Sequence, residues 1–270
     1  MNPEYSRLLQ QLMALYSRAE ASSMVKWLLT EVFQFTTSEL YGATERTLDE
    51  QERMACDRLL VRLLQHEPIQ QVVGHEWFCE LQFFVDRHVL VPRPETQELV
   101  QWVIRDLQDL ACKIVDIGTG SGCIAVSLAK YLPDAHVEAW DVSAEAVAMA
   151  RRNARHNGVH VDFLQKDVFC ADLIRDAIVV SNPPYVCGSE RSGMSSNVLR
   201  YEPELALFVS DDDPLRFYRQ IADLQPKLIY FEINERFGHE VCRLLQMKGY
   251  SDTLLRQDMF GKNRMIKAVR

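Results

Sequence analysis

The sequence predicts an α/β protein, with a doubly wound, mostly parallel seven-stranded sheet and a small N-terminal helical domain joined to it by a β-hairpin. Three observations predict this. From residue 113 onward, short apolar runs alternate with helix-spaced segments, as expected of strands linked by helical crossovers. Gly118, Gly120 and Gly122 directly follow the first of these runs and open a helical pattern. The chain up to residue 67 carries helical periodicity alone.

The 270 residues suffice for one domain of about 200 residues and another of about 70. An apolar fraction of 47% and a charged fraction of 25% are those of an ordinary globular protein. No stretch approaches the roughly 18 uninterrupted apolar residues of a membrane span. Met1-Asn2-Pro3-Glu4-Tyr5 lacks a basic run followed by an apolar one, so no secretory signal or membrane association is expected and the cytoplasm is the default location. A net charge of -8 argues against broad, sequence-independent binding to nucleic acid while leaving room for a local basic patch. The seven cysteines are scattered and include no Cys-x-x-Cys pair, which predicts buried thiols rather than disulfides or a zinc site.

In the helical domain, residues 1–68, helical spacing relates Leu8, Leu12, Leu15 and Tyr16, then Met24, Val25, Leu28, Leu29 and Val32. A third set is Met54, Leu59, Leu60, Leu63 and Leu64. Thr47-Leu48-Asp49-Glu50 fits a capping box that starts a helix near Leu48, and Pro68 marks its end. Residues 69–92 become β-prone and aromatic, with Val72, Val73, Trp77 and Phe78 and the alternation Leu81, Phe83, Val85, which reads as the linking hairpin. Pro92-Arg93-Pro94-Glu95-Thr96 breaks the chain, and Glu95 or Thr96 is expected to cap the helix that opens the main domain, residues 93–270. Within it, strands are expected at 113–117, 136–140, 159–165, 178–181, 228–232, 253–256 and 265–269, with helices at 123–130, 144–156 and 239–247.

Gly118-Thr119-Gly120-Ser121-Gly122 lies between a strand and a helix, where glycine lets backbone approach a ligand closely. Asp141, about 20 residues on and at the end of the next strand, stands where an acidic side chain accepts from ribose hydroxyls. The dinucleotide pattern Gly-x-Gly-x-x-Gly is not met, since Cys123 occupies its last position. The loop therefore admits three readings: S-adenosylmethionine first, then a dinucleotide or a structural turn. Asp167 either holds an adenine amino group or caps a turn.

The buried-strand run 178–181 stops at Asn182-Pro183-Pro184-Tyr185. Proline cannot donate to a sheet ladder, so the chain exposes acceptors here at the carboxyl edge of the sheet. A substrate NH2 has two donors, which the Asn182 side-chain oxygen and the Pro183 carbonyl can accept, while Tyr185 packs on the planar group. Such a clamp suits methylation of an amide or amine nitrogen, a poor nucleophile that gains from orientation and from stabilisation of developing positive charge. No metal is called for.

The chain resembles the class I methyltransferases, and more closely the HemK-type peptide-chain release factor glutamine methyltransferases. The resemblance rests on Val91-Pro92-Arg93-Pro94-Glu95-Thr96, Asp116 to Gly122, Asp141, Lys166-Asp167-Val168-Phe169, Ser181 to Tyr185 and Tyr201-Glu202-Pro203. It implies transfer of a methyl group from S-adenosyl-L-methionine, leaving S-adenosyl-L-homocysteine, to the glutamine side-chain nitrogen of the Gly-Gly-Gln loop of release factors. It further implies that Gly118, Thr119, Gly120, Ser121 and Gly122 surround the methionine part, Asp141 the ribose, and Asp167 with Val168 the adenine. Asn182, Pro183, Pro184 and Tyr185 would hold the glutamine, with Asn182 also bordering the cofactor, and the helical domain would dock the release factor. A monomer is expected. Two departures bear on cofactor affinity: no Gly-Gly pair precedes Leu228, and Val168 stands where some relatives have an aromatic residue. An adenine or cytosine amino-methyltransferase would share the tetrapeptide and remains the alternative.

Three further features are set aside. His156 and His160 are separated by the helix-breaking Asn157-Gly158, Asp211-Asp212-Asp213-Pro214 reads as a loop capping a helix near Leu215, and Arg151, Arg152 and Arg155 read as a solvated helix face.

Overall fold

The computed structural model describes residues 1–270, which divide into two compact units, 1–74 with 195–201, and 75–194 with 202–270. The first unit contains α1 (Pro3–Leu12), α2 (Arg18–Trp27), α3 (Thr37–Leu40), α4 (Glu50–Leu64) and α5 (Ile69–Val73). Asn2 caps α1 by accepting from the Glu4 N–H, with Pro3 at the first helical position, where its missing donor is not needed. Leu8, Leu12, Val25, Leu28, Leu29 and Leu63 are fully buried in the core of this unit. Leu15 and Met54, expected to share that face, are about half exposed, at 47% and 52%. The segment 195–201 is held to this unit by the Gln71 side-chain amide donating to the Tyr201 carbonyl (3.1 Å) and by the Tyr201 hydroxyl donating to the Gln65 carbonyl (2.9 Å).

Two local expectations are corrected here. The capping box of α4 lies two residues beyond the expected one: Asp49 accepts from the Glu52 N–H at 2.8 Å and Glu52 accepts from the Asp49 N–H at 3.0 Å. Both Thr47 and Asp49 fit the motif, and the later start lets Leu48 enter the core at 3% exposure. Residues 69–73, expected as β structure, form α5, which ends at Gly74 in the left-handed conformation (φ 88°). The hairpin is therefore shorter, β1 (His75–Phe78) and β2 (Leu81–Phe84).

The second unit continues with α6 (Pro94–Leu107), β3 (Lys113–Ile117), α7 (Cys123–Tyr131), β4 (His136–Asp141), α8 (Ala144–His156), β5 (Asp162–Gln165) and β6 (Ala177–Ser181). After a pair of two-residue strands come α9 (Arg216–Asp223), β7 (Leu228–Glu232), α10 (Gly238–Met247), β8 (Asp252–Gln257) and β9 (Asn263–Val269). The seven-stranded sheet has the order β8-β9-β7-β6-β3-β4-β5. All neighbours are parallel except β9, which is antiparallel to both β7 and β8. The expected sheet is thus present, with β5 starting at Asp162 rather than 159. Separate apolar clusters lie on its two faces, one around α6, α7 and α8, the other around α9 and α10. Arg93 takes the cap position of α6 and Pro94 the first helical one, so Glu95 and Thr96 lie inside the first turn instead of capping it.

Chain order runs outward from β3 to β4 and β5, then returns to β6 beside β3. The carboxyl ends of β3 and β6 therefore flank the topological switch, where α/β sheets leave a crevice for ligands. At this point the buried Ser181 hydroxyl donates to the Ile117 carbonyl at 2.6 Å and joins the two strand ends.

Candidate active site

Above these strand ends lies a cavity of about 270 Å³, close to the lower end of ordinary small-ligand sites at roughly 300–1,000 Å³. Ile117, Gly118 and Gly120 line it from the loop after β3, Asp141, Val142 and Ser143 from the end of β4, and Lys166, Asp167 and Val168 from the turn after β5. Asn182, Pro183 and Pro184 enter from the end of β6, with Phe217 and Ile221 from α9. Ala146 of α8, Arg87 to Leu90, and the residues Pro203, Leu205 and Ala206 complete the wall.

The three glycines of the loop differ in role. All have positive φ, at 76°, 53° and 82° for Gly118, Gly120 and Gly122. A Cβ on Gly118 or Gly120 would meet nothing within 4 Å, whereas one on Gly122 would come within 2.9 Å of the Ala150 Cβ. Gly118 and Gly120 thus keep backbone beside the cavity, while Gly122 brings α7 and α8 together. Thr119 turns inward, its hydroxyl donating to Asp116 Oδ2 at 2.6 Å; the Ala125 N–H also reaches that oxygen. Asp116 is fully buried, Oδ1 has no partner, and burial pushes the carboxyl up to about 7. The Ser121 carbonyl accepts from the Asn153 side-chain amide, which also pairs with both backbone groups of Phe84 and so ties the loop to the hairpin.

Asp141 accepts from the Gly120 N–H through Oδ2 and from the Ser143 N–H through Oδ1, each at 2.9 Å. Burial raises this carboxyl against those backbone donors. The carboxylate lines the cavity, and its acceptor chemistry suits vicinal hydroxyls. Asp167 Oδ1 accepts from the Phe169 N–H, capping a 3-10 turn that seats Val168 at 8% exposure against the cavity.

At Asn182 the side-chain Nδ2 donates to Thr96 Oγ1 at 3.1 Å, and Thr96 donates onward to Glu232 Oε2 at 2.6 Å. The Tyr185 hydroxyl donates to the other oxygen, Oε1, at 3.0 Å. Asn182 Oδ1 is thereby left as an acceptor beside the cavity, next to the prolines. Burial and the nearby Glu232 carboxyl hold the Tyr185 phenol well above its ordinary pKa, so it stays a donor. Burial raises Glu232, while Thr96, Tyr185 and Arg264 act to lower it.

Residues 96–201 match the methyltransferase small domain family, and residues 6–74 match the PrmC N-terminal domain. The release factor glutamine methyltransferase of Bacteroides thetaiotaomicron is 42% identical over the whole of both chains. The chain belongs to the release factor glutamine methyltransferase family. A second member, from Flavobacterium psychrophilum, is 39% identical over 97% of this chain and 96% of its own. Among solved structures, the catalytic domain of hMettl16 aligns with a TM-score of 0.55 over 70% of this chain and 75% of that one, at 16% identity. The larger unit of this methyltransferase accordingly has the class I methyltransferase fold.

Of the residues singled out in the sequence, the structure gathers Gly118, Gly120, Asp141, Asp167, Val168, Asn182, Pro183 and Pro184 around one cavity. Thr119, Ser121 and Gly122 lie behind its wall, buried or packed against helices. Tyr185 points away from it, onto Glu232, and lines a separate surface depression. His156 and His160 pair with different residues, Gln82 and Asp162, and Asp213 pairs with Arg219 of α9. Sequence reasoning missed Val142, Phe217 and Ile221 on the apolar wall, the segment 87–90, and the polar chain through Thr96 and Glu232. Signals existed for Glu232, an acidic residue ending an otherwise apolar strand, and for Thr96, which closes the Val91–Thr96 segment.

Proposed function

We propose that this methyltransferase uses S-adenosyl-L-methionine to methylate the side-chain amide nitrogen, N5, of the glutamine in the Gly-Gly-Gln motif of peptide-chain release factors. The observation that carries the reading is the committed Asn182 amide. With Nδ2 bound to Thr96, its Oδ1 is an acceptor beside Pro183, at the border of the cavity whose other end holds Asp141 and Asp167.

The residues present fit the cofactor. Gly118 and Gly120 leave space beside the backbone, Asp141 offers acceptors for ribose hydroxyls, Asp167 retains an oxygen for an adenine amino group, and Val168, Phe217 and Ile221 supply apolar surface for the base. S-adenosylmethionine, when bound, supplies an electrophilic methyl group on a sulfonium.

The protein contributes orientation and electrostatics. Asn182 Oδ1 and the Pro183 carbonyl accept the two N–H bonds of the glutamine amide and fix the plane of that group. Both oxygens carry partial negative charge, which favours the positive charge that develops on nitrogen as its lone pair is withdrawn from the carbonyl. Preorganisation matters because an amide nitrogen is weakly nucleophilic, and holding it at the reacting distance removes much of the entropic barrier. The PrmC-type helical unit, acting with the main domain of a monomeric cytoplasmic enzyme, would engage the release factor; the net charge of -8 fits a protein substrate better than nucleic acid.

The test is transfer of labelled methyl from S-adenosylmethionine to a purified release factor, compared with unmodified DNA and RNA. The reading expects one methyl on the Gly-Gly-Gln glutamine by peptide mass analysis, with Asn182→Ala inactive and cofactor affinity nearly intact. Label in nucleic acid and none in the release factor would replace it with the amino-methyltransferase alternative.

A further inference from the structure

We propose that Thr96 and Glu232 are positioning residues that set the Asn182 side-chain amide, so that it presents its oxygen and not its NH2 to the substrate. This rests on the reading of Asn182 as a substrate acceptor. Three side chains from three segments converge here: Thr96 in the first turn of α6, Asn182 after β6 and Glu232 at the end of β7. Thr96 and Glu232 are buried, at 3% and 1% exposure, and neither touches the cavity.

The direction of the hydrogen bonds carries the argument. At Glu232 both contacts are donated by the partner, Thr96 to Oε2 at 2.6 Å and Tyr185 to Oε1 at 3.0 Å. Thr96 has a single hydroxyl proton, and it is used on Glu232. Toward Asn182 the hydroxyl can only accept, at 3.1 Å, which requires Asn182 to turn its NH2 inward. The Asn182 oxygen then faces the other way. A donor facing Thr96 from position 232 would reverse the order: Thr96 would accept that hydrogen bond, donate its own to Asn182, and draw the Asn182 oxygen inward. Substrate NH2 would then meet an NH2 group.

Burial raises the Glu232 carboxyl, and the groups around it oppose that shift only in part. Arg264 on β9 is the charged group that favours the carboxylate, itself held by Asp258 at 3.1 Å and by the Ile233 carbonyl at 3.2 Å. Glu95 on α6 acts in the opposite sense, and Tyr218 on α9 meets only the Glu232 backbone carbonyl. Tyr185 is accounted for in the same way. Its hydroxyl occupies the second carboxylate oxygen and holds the chain just after the prolines, so its part is structural support of the Asn182 loop and not contact with the cavity.

The experiment compares Thr96→Val, Thr96→Ser, Glu232→Gln and Asn182→Ala in the full-length protein, with methyl transfer to a release factor and calorimetric binding of S-adenosylmethionine as readouts. Thr96→Val keeps the shape and removes the hydroxyl that links Asn182 to Glu232. It is expected to lower kcat about 10- to 100-fold while cofactor affinity stays close to wild type. Thr96→Ser, which retains the hydroxyl, should recover most of the rate. Glu232→Gln conserves volume and keeps one acceptor, which can still take the Thr96 hydroxyl while the NH2 donates to Tyr185, so it should lower kcat less than Thr96→Val; combined with Thr96→Val it should lose no more than the worse single variant, because both act on one chain. If Glu232→Gln does not fold, the valine and serine variants decide the matter. A wild-type kcat for Thr96→Val beside an inactive Asn182→Ala overturns the positioning role and leaves the clamp intact. Failure of Thr96→Ser to recover the rate also overturns it, since the loss would then be steric. Wild-type turnover in Asn182→Ala overturns both.

Discussion

Asp141 Oδ2 accepts the Gly120 N–H at 2.9 Å, so the acidic residue at the end of β4 braces the glycine loop as well as lining the cavity. Its Oδ1 simultaneously accepts from the Ser143 N–H, two residues ahead in the cap of α8. One carboxylate therefore sets the relative position of two cavity walls. Asp141→Ala removes an acceptor from each and from any ribose hydroxyl, and is expected to raise the Kd for S-adenosylmethionine roughly 10- to 100-fold by calorimetry. Asp141→Asn should fall between, because an amide keeps one acceptor but turns an NH2 toward one of the two backbone donors.

Gly120 and Gly122 should separate under the same substitution. Alanine at either residue enters a left-handed conformation that disfavours a side chain by about 1–2 kcal/mol. At Gly122 the added Cβ also collides with the Ala150 Cβ at 2.9 Å, adding overpacking strain of about 1–3 kcal/mol. Gly122→Ala is expected to lower the unfolding midpoint clearly more than Gly120→Ala in thermal denaturation. Gly120→Ala, whose methyl has open space, should show its larger effect in cofactor binding.

These contrasts mark what the sequence can and cannot reveal. The strands at 113–117 and 228–232 are legible because strands buried on both faces carry short, nearly continuous apolar runs, here Ile114-Val115 and Leu228 to Phe231, and the residues after β3 and β6 announce themselves by composition that ends strands. The helical turn at Ile69–Val73 is not, since five β-branched or amide residues carry too little pattern to oppose their intrinsic preference. Thr96, Asn182 and Glu232 stand 86 and 50 residues apart along the chain, and only the sheet order brings them within hydrogen-bond reach. Periodicity reports which side of an element faces the core; it carries no information about which polar side chains meet there. Tyr185 illustrates this limit, since its place after the prolines suggested a substrate contact and the fold turns it onto Glu232.

Asp116 gives the fold a pH dependence. Burial raises its pKa from 3.8 to about 7, so between those values the folded state holds a proton that the unfolded state has released. Its contribution to stability is complete below pH 3.8 and is lost as pH rises through about 7, with a slope of about 1.4 kcal/mol per pH unit where the two states differ fully. Asp116→Asn mimics the protonated form at every pH. Urea unfolding of the wild type should weaken from pH 5 to pH 8 relative to Asp116→Asn, and parallel pH profiles for the two proteins would refute this assignment.

The pair formed by Arg93 and Glu202 supports the wall carrying Pro203, Leu205 and Ala206. Arg93 Nη2 lies 2.5 Å from Glu202 Oε1, the Glu202 side chain is 1% exposed, and its Oε2 has no partner. Burial raises the Glu202 carboxyl and Arg93 opposes that shift. Removing the guanidinium leaves a buried carboxylate without its counter-ion, which typically costs about 3–5 kcal/mol; Arg93 is one-third exposed, so the lower end applies. Arg93→Ala is therefore expected to lose about 3 kcal/mol in chemical denaturation. Glu202→Gln should lose less, because the uncharged amide needs no counter-ion and Arg93 can turn toward solvent. If the arginine variant proves as stable as wild type, the pair is not what holds the segment after Glu202 in place.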